Sequence, residues 1–403
     1  MSHSKHVKNN ENTIILIMLY CIAFVGVFAV DFYLPAIPRI AVEFKLDPGT
    51  IGLTMSSYTF TFALGHLIVG SASDHWGRKR TFEIGLLISI VGTFFCMVSN
   101  NFWELFIARG IQGFGLSCFV LTNAIIRDVF SNEIAIRIRI SRNLVAYFLI
   151  AVAPSIGVIV LNFSNWRMIF AIFLFFSALV FIYIKFFGVE TNKNLNHDFN
   201  LVATLKQFSL IVKHRTFLKF SSISTLAFSV HYCFVTISSN LLLNKMNLTS
   251  NIYGKCMFGY GVSFLIGAIL AMYLVKKLNM SRLLEIGAIT LIIGGIILLI
   301  IFLMGKISLV YLSIAVIVCV IGISFITPSA VTFAMTEFEN QAGSASACLG
   351  VMQFSVAALF SAVVNIAFGY SIILIGLLAI ITGLLAYFPA FDTFQRPEPL
   401  RAG

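Results

Sequence analysis

Two charged residues inside long apolar runs have the clearest chemical potential in this sequence. Asp31 lies within GVFAVDFYLPAIP (26–38), and Arg109 lies within FIARGIQGFG (106–115). Charged side chains are costly inside a membrane, so they face a cavity and a partner there. A carboxylate held away from water keeps its proton firmly, whereas a nearby guanidinium favours the charged form. A carboxylate that alternates between such surroundings would load and release a proton.

We therefore predict that Asp31 binds a proton or a cationic substrate and that Arg109 tunes it. Simpler interpretations stay open for both residues. Asp31 lies about eighteen residues into its run, in the outer half of a membrane at ~1.5 Å per residue. It could cap the turn formed by Pro35 and Pro38. Arg109 could instead bind backbone carbonyl groups.

The elements that carry these residues are membrane-length apolar runs. Hydrophobic residues make up 59% of the 403 residues and charged residues 11%, whereas soluble domains have about 25% charged residues. The runs are long enough to cross a bilayer as helices and number about twelve: 13–37, 50–72, 81–99, 102–126, 139–161, 167–188, 217–241, 254–276, 283–304, 307–333, 343–368 and 370–388. No cleavable signal peptide is evident. The sequence predicts an all-α polytopic membrane protein.

The distribution of positive charge predicts topology and argues against nucleic acid as a partner. The net charge is +11, and about twenty of the 27 Lys and Arg residues fall on one side when the N-terminus is placed inside. This asymmetry places both termini in the cytoplasm. The seven cysteines are irregularly spaced, which favours neither disulfides nor a metal site.

A polar segment divides the runs into two groups of six. It covers 188–215, and RTFEIGLLISIVG (80–92) before it resembles RLLEIGAITLIIG (282–294) after it. We predict an N-terminal bundle of residues 1–188, a cytoplasmic linker of 189–216 and a C-terminal bundle of 217–403. Paired halves of this kind bind a substrate between them in transporters. Since no Walker-type nucleotide motif is present, uphill transport would use an ion gradient and no cofactor.

The loop between the second and third runs carries a family resemblance. GSASDHWGRKR (70–80) resembles the signature G-x-x-x-D-x-x-G-R-(K/R)-(K/R) of the major facilitator superfamily, matching at Gly70, Asp74, Gly77, Arg78, Lys79 and Arg80. Glycine at position 70 would let helices approach closely, and Gly77 would permit a tight reversal. The resemblance implies two six-helix bundles related by pseudo-two-fold symmetry. It also implies that this loop is a cytoplasmic gate that latches the halves together.

Further motifs resemble the drug/proton antiporter branch with twelve spans. FIARGIQGFG is similar to R-x-x-Q-G-x-G, with Arg109 and Gln112 on one helical face. DFYLPAIPRIA (31–41) and AGSASACLGVMQF (342–354) are similar to segments of the bicyclomycin-resistance-like multidrug exporters, and NWRMIF (165–170) matches a W-R-x-x-F entry to the sixth span.

The fifth run matches its antiporter motif only in part. LIAVAPSIGVIV (149–160) keeps Pro154 and Gly157 of G-x-x-x-G-P-x-x-G-G, the helix-packing motif, but Leu149, Ala153 and Val158 replace three glycines. Whether this degenerate motif supports antiport is left open by the sequence.

Polar and aromatic residues in the runs supply candidates for a substrate cavity. Aromatic rings bind aromatic or cationic compounds by stacking and cation–π contact. The candidates are Tyr33, Gln112, Phe114, Phe119, Tyr147, Phe228, His231, Tyr232, Gln353 and Phe354. A lone histidine such as His231 is as compatible with a satisfied core position.

Together with these features, the resemblance implies a proton-coupled secondary transporter, monomeric and in a bacterial inner membrane, that exports small organic compounds such as drugs by alternating access. Its partners would be the substrate, protons and membrane lipid, and it would not be an enzyme. Export of an endogenous metabolite such as a siderophore is the alternative. A non-transporting receptor or an intramembrane enzyme is a weaker one, since neither a signalling domain nor clustered catalytic residues are found.

Overall fold

The computed structural model describes residues 2–192, 201–305 and 307–395, and the described residues form helices joined by short loops. The helices are α1 (Ser2–Asp31), α2 (Ile37–Phe44), α3 (Pro48–Trp76), α4 (Arg78–Val98), α5 (Phe102–Leu116), α6 (Leu121–Val129), α7 (Asn132–Phe163), α8 (Arg167–Phe187), α9 (Leu201–Lys213), α10 (Arg215–Ser239), α11 (Ser250–Val275), α12 (Met280–Leu303), α13 (Leu309–Met335), α14 (Ala342–Ile366) and α15 (Ser371–Gln395).

Local sequence signals fix several of these helix ends. Asp47 caps α3, since its Oδ1 accepts a hydrogen bond from the Gly49 amide at 2.7 Å, and Pro48 starts the helix. Asn101 caps α5 in the same way. These side chains satisfy amide groups that a helix start leaves without partners. The α1 helix ends at Asp31, inside the predicted run 13–37, and the 3₁₀ turn Leu34–Ala36 that contains Pro35 follows.

Membrane-length helices are confirmed, although not all twelve runs meet the same standard of hydropathy. Among the described residues, 11 segments are long and apolar enough to cross a membrane. The predicted run that is not among them is the second, 50–72. It corresponds to α3, which has 29 residues but is less apolar because it carries many Ser, Thr and Gly residues. The fourth run is one irregular helix, in which the 3₁₀ turn Ser117–Val120 joins α5 to α6.

Helix contacts form two groups that meet along two seams. In the first half α1 packs on α7 and α8, and α4 packs on α5 and α8; in the second half α10 packs on α13 and α14, and α12 on α13 and α15. Between the halves, α3 packs along α14, and α7 packs along α11. Substrate passing between the halves would therefore be flanked by these two seams.

The helix bundle has two ends, which we call the linker side and the far side. The linker side carries the loop at Gly77 and helix α9, and the far side carries the loops at Lys45, Asn100 and Met246. The polar segment predicted as a linker contains α9, whose Phe208 and Ile211 are buried against α3, α10 and α14. Residues 193–200 of the predicted linker lie outside the described residues.

Candidate transport site

Asp31 lies at the end of α1, facing the second half of the molecule. Its side chain is 6% exposed, and none of the described residues gives its carboxylate a hydrogen bond or an ion pair. The hydroxyl groups of Tyr58, Tyr232, Tyr253 and Tyr260 lie within its electrostatic range. The last three belong to α10 and α11 of the second half. The Leu34–Ala36 turn that follows Asp31 packs on α10, so Asp31 lies where the two halves meet. A buried carboxylate without a partner is a group prepared to bind a proton or a cation.

Arg109 is fully buried on α5, and its partners are not carboxylates. One Nη donates to the Ala29 carbonyl of α1 at 3.0 Å and to Gln112, and the other contacts the Met55 sulfur at 3.0 Å. Arg109 thus forms no ion pair with Asp31. Arg109 instead binds the backbone carbonyl group of Ala29, two residues before Asp31 on α1. Binding of backbone carbonyl groups was the alternative that the sequence left open for Arg109.

Two tyrosine rings make cation–π contacts with the Arg109 guanidinium. The guanidinium carbon lies 4.6 Å from the ring centroid of Tyr33 and 4.6 Å from that of Tyr58. Tyr33 is itself fixed, because its hydroxyl group is hydrogen-bonded to Thr54 at 3.0 Å. Tyr33 was predicted to contact substrate; the structure places its ring on Arg109. Cation–π contacts therefore take the place of an ion pair.

Gln112 lies in the interface between α4 and α5 and not in a cavity. It is 1% exposed, and its Nε2 donates to Thr93 of α4 at 2.9 Å while its oxygen accepts from Arg109. The sequence predicted that Gln112 lies on the same helical face as Arg109, and it does. Its burial between α4 and α5 does not support the predicted role as a cavity residue. The amide instead anchors Arg109 to α4.

Aromatic side chains meet where the two halves face each other. The Phe354 ring of α14 lies 4.7 Å from Phe62 and 5.6 Å from His66, both on α3, and 5.1 Å from Phe228 on α10. Tyr232 is hydrogen-bonded to Thr59 of α3. We call Phe62, His66, Phe228 and Phe354 the aromatic cluster. Three predicted cavity residues, Phe228, Tyr232 and Phe354, are thereby brought together.

Other predicted cavity residues lie at separate positions. Tyr147 of α7 stacks on Phe264 of α11 at 5.9 Å, across the second seam. His231 is hydrogen-bonded to the Tyr260 hydroxyl group at 2.6 Å. Gln353 donates to Ser224 at 2.9 Å, within the second half.

Two phenylalanines that were predicted to line the cavity, Phe114 and Phe119, lie elsewhere. The Phe119 ring stacks on Phe82 at 5.7 Å and lies against Gly26, so it fills space among α1, α4 and the turn after α5. The Phe114 side chain is half-buried on α5 and does not join the aromatic cluster. Helical position alone did not distinguish these rings from cavity rings.

On the far side, a polar ladder closes the seam between α3 and α14. Ser56 donates to Ser361 at 3.3 Å, Ser361 donates to Thr236 at 3.1 Å, and Asn365 also reaches Thr236. A Cβ on Gly52 would lie 2.0 Å from the Asn365 oxygen. The sequence did not single out the Ser and Thr residues of this ladder, because small hydroxyl side chains carry little signal on their own.

Glycines of α11 close the other seam. A Cβ on Gly261 would lie 2.3 Å from the Ala151 Cα of α7, and Ser155 of α7 donates to the Gly254 carbonyl at 3.0 Å. Close approach of membrane helices depends on such small residues. The partner helix thus supplies glycines where the fifth-run motif has lost them. Gly157, which that motif keeps, packs on the Phe32 carbonyl of the α1 turn.

The predicted gate loop on the linker side is built around Arg78. Arg78 pairs with Asp74 at 2.8 Å and with Asp128 at 3.3 Å, and Gly77 has φ of +92° at the reversal, as predicted. The backbone amides of Arg78 and Lys79 donate to Glu190 at 2.9 and 3.1 Å. Glu190 was not found from the sequence.

Three details of this loop differ from the predictions or extend them. A Cβ on Gly70 would meet no atom of the described residues within 4 Å, so the predicted close helix approach is absent there. Lys79 donates to the Lys185 carbonyl at 3.1 Å, and Arg80 is exposed. The partners of Asp74, Arg78 and Lys79 named here all lie in the first half or directly after it, so these contacts do not latch the two halves together.

A second charged cluster lies on the far side of the first half. Glu43 of α2 accepts from the Trp166 indole at 2.6 Å and from Arg167 at 2.7 Å. Arg167 also donates to the Ser99 carbonyl at 2.9 Å. This geometry explains the W-R-x-x-F segment: its first two residues bind the short helix that follows Asp31.

Comparisons with known proteins agree with this architecture. The chain is 27% identical over 372 residues to a bicyclomycin resistance protein homolog of Haemophilus influenzae, covering 89% of this chain and 90% of that protein. It is 24% identical to the multidrug resistance protein MdtL of Shewanella oneidensis, covering 82% and 83% of the two chains. It is 26% identical to an uncharacterized MFS-type transporter, YdgK, of Bacillus subtilis, covering 88% and 89%.

Solved structures support the same fold. The crystal structure of a D-xylose–proton symporter matches with a TM-score of 0.72 and 16% identity, covering 94% of this chain and 97% of that one. A partially occluded, inward-open form of the xylose transporter XylE from E. coli also has a TM-score of 0.72, with 15% identity and 96% and 98% coverage. The family model of the Major Facilitator Superfamily matches residues 19–362. With paired helical halves, a buried carboxylate between them and this match, the chain belongs to the Major Facilitator Superfamily of membrane transporters.

Proposed function

We propose that this protein exports small organic compounds, such as drugs, across a bacterial inner membrane in exchange for protons. Its curated relatives include a bicyclomycin resistance homolog and multidrug resistance proteins. The proposed direction places the linker side in the cytoplasm, where the positive-inside rule puts most Lys and Arg residues.

The observation that carries this proposal is the Asp31 carboxylate, buried at the interface between the halves with no partner among the described residues. An ionised carboxylate in such a place is costly without a counter-charge. A proton would remove the cost in the occluded state, and water or a cationic substrate would remove it when the site opens. Binding of proton and substrate to one carboxylate is mutually exclusive, which is the requirement for exchange.

The aromatic cluster and the enclosed Arg109 favour neutral or cationic substrates that contain apolar or aromatic groups. The aromatic cluster presents ring faces from α3, α10 and α14 at the meeting of the halves. The guanidinium of Arg109 is enclosed by Tyr33 and Tyr58, so it does not present a free positive charge to the substrate.

The test is transport by purified protein in liposomes with an imposed pH gradient and a panel of drugs, dyes and siderophores. We expect a proton gradient to accelerate movement of at least one drug or dye. Asp31→Asn should remove that acceleration, while exchange of labelled for unlabelled substrate without a gradient persists. Glu337→Gln, at an exposed position, is the matched neutralisation and should behave as the wild type.

The outcomes separate the components of the proposal. Acceleration by the gradient in Asp31→Asn equal to the wild type would refute the role of Asp31. Movement of siderophores alone would refute drug export and favour an endogenous metabolite as cargo.

A further inference from the structure

A pocket on the far side is lined by both halves of the molecule. It has a volume of about 600 Å³, and the first half contributes Val42, Lys45 and Leu46 while the second contributes Asn240, Lys245 and Phe368. We call it the far-side pocket. Neither Asp31 nor any residue of the aromatic cluster lines it, and its residues lie around the loops after α2 and α10. The proposed transport site therefore does not explain it.

Two lysines give the far-side pocket a positive character. Lys45 and Lys245 are exposed, and neither forms an ion pair with a described residue. The Lys245 ammonium lies 5.8 Å from the centroid of the Phe368 ring, which holds it over the pocket. Asp47 also lines the pocket, but its carboxylate is engaged as the cap of α3. The pocket is thus lined by two ammonium groups and one carboxylate, and that carboxylate already accepts a hydrogen bond. This balance of charge favours binding of an anion.

A buried amide without an acceptor lies in the same pocket. Asn240 is 4% exposed, and its oxygen accepts from Asn244 at 3.0 Å, whereas its Nδ2 has no hydrogen-bond partner among the described residues. A buried N–H donor without an acceptor is costly. Because Asn240 lines the pocket, rotation of its side chain would turn the amide toward a bound anionic oxygen, which would supply that acceptor.

Unusual backbone geometry brings these donors together. Lys45 has φ of 55° at the end of α2, a left-handed position that normally favours glycine. Asn240–Lys245 forms a π-helical turn, a geometry frequent at functional sites. Both segments place donor side chains at the same pocket. Uncommon backbone geometry of this kind clusters at binding sites, where the surrounding structure maintains it.

We propose that the far-side pocket binds a small organic anion. Its carboxylate or phosphate group would be held by Lys45, Lys245 and the Asn240 amide, and its apolar part would pack on Val42, Leu46 and Phe368. Because the donors come from both halves, the bound anion bridges them and opposes opening of the far side. The anion can be free in solution or the head group of an anionic lipid.

The experiment uses the full protein in lipid nanodiscs, with benzoate as probe and benzyl alcohol as its neutral counterpart. Saturation-transfer NMR should detect benzoate bound to the wild type and no comparable signal for benzyl alcohol. Lys45→Gln and Lys245→Gln should each weaken benzoate about tenfold, the loss expected for one charged hydrogen bond. Asn240→Asp keeps the side-chain shape but replaces the donor with a negative charge, and it should abolish binding.

The control and the lipid arms decide the interpretation. Lys255→Gln, at an exposed lysine of α11 outside this pocket, should bind benzoate as the wild type does. If a free anion is the natural ligand, benzoate binds equally in phosphatidylcholine discs and in discs containing phosphatidylglycerol. If a lipid head group is the ligand, phosphatidylglycerol suppresses benzoate binding. Equal binding by the wild type and all pocket variants, or no binding in either disc, would overturn the proposal.

Discussion

At the residue scale, Arg109 shows how a buried cation is kept without an anion. Hydrogen bonds to Ala29 and Gln112 use part of its donor set, and two phenol rings make cation–π contacts with it. A desolvated cation–π contact contributes about 2 kcal/mol, so two such contacts offset a large part of the cost of burial. A planar guanidinium stacks on aromatic rings in a way that an ammonium group does not.

Arg109→Lys should reduce both stability and transport. The ammonium keeps the charge but loses the planar faces and the paired donors, so we expect a loss of about 1–3 kcal/mol of stability and a marked fall in transport. Thermal unfolding of the purified protein and liposome transport measure the two effects. Arg80→Lys, at an exposed position, is the control, and a loss of similar size there would contradict this account.

The limits of prediction are visible in the same residues. The sequence identified Asp31 and Arg109 because charge within an apolar run is rare, and both are buried in the bundle. It did not predict the Ala29 contact or the Tyr33 and Tyr58 rings. Those contacts depend on how α1, α3 and α5 are rotated about their axes, and hydropathy does not determine rotation in helices that are apolar on every side.

At the element scale, glycine position determines how closely helices pack. Gly254 and Gly261 lie seven residues apart on α11, one face of the helix, and both meet α7. The sequence placed this packing on the fifth-run motif alone and counted its missing glycines as a weakness. Because packing depends on the sum of two surfaces, small residues on the partner restore it.

Gly261→Ala should destabilise the protein, and Gly259→Ala should not. The added methyl group at Gly261 would lie 2.3 Å from Ala151, whereas the one at Gly259 meets no described atom within 4 Å. Overpacking costs about 1–3 kcal/mol, while Ala in an open helical position gains about 0.5–1 kcal/mol. Unfolding temperatures of the two detergent-solubilised variants test this, and equal shifts would show that the seam is looser than described.

The gate loop offers a second matched pair of glycines. Gly77→Ala would place a side chain at φ of +92° and 2.3 Å from the Glu190 carboxylate, with a strain of about 1–2 kcal/mol. Gly70→Ala enters open space. We expect Gly77→Ala to lower folded yield in size-exclusion chromatography and Gly70→Ala to leave it unchanged. A larger effect at Gly70 would restore the close approach that the motif first suggested.

At the scale of the whole molecule, the two seams are the surfaces that the proposed alternating access would have to change. The far-side ladder of Ser56, Ser361, Thr236 and Asn365 joins α3 to α10 and α14, and the glycine contacts join α7 to α11. The paired organisation could be predicted from the polar segment and the repeat. Which residues touch across the seams could not, because they are small and chemically ordinary.

Cross-linking tests whether the α3–α14 seam opens. Ser56→Cys combined with Ser361→Cys should form a disulfide on oxidation, because the two oxygens are 3.3 Å apart, and should stop transport until a reductant is added. Ser57→Cys with Ser361→Cys is the control, since Ser57 faces α5. Mass spectrometry of linked peptides measures the bond. Full transport by the oxidised pair would show that this seam stays closed throughout the cycle.

Helix α9 has a consequence for how far the halves can swing. It has 13 residues and touches α3 of one half and α10 and α14 of the other. A helix advances about 1.5 Å per residue, whereas extended chain advances about 3.3–3.6 Å. As a helix, α9 therefore spans less than half the distance that the same residues would span when extended. Any large tilt must slide α9 along one half or unwind it. The contacts of α9 with both halves thereby add to the free-energy cost of such a tilt.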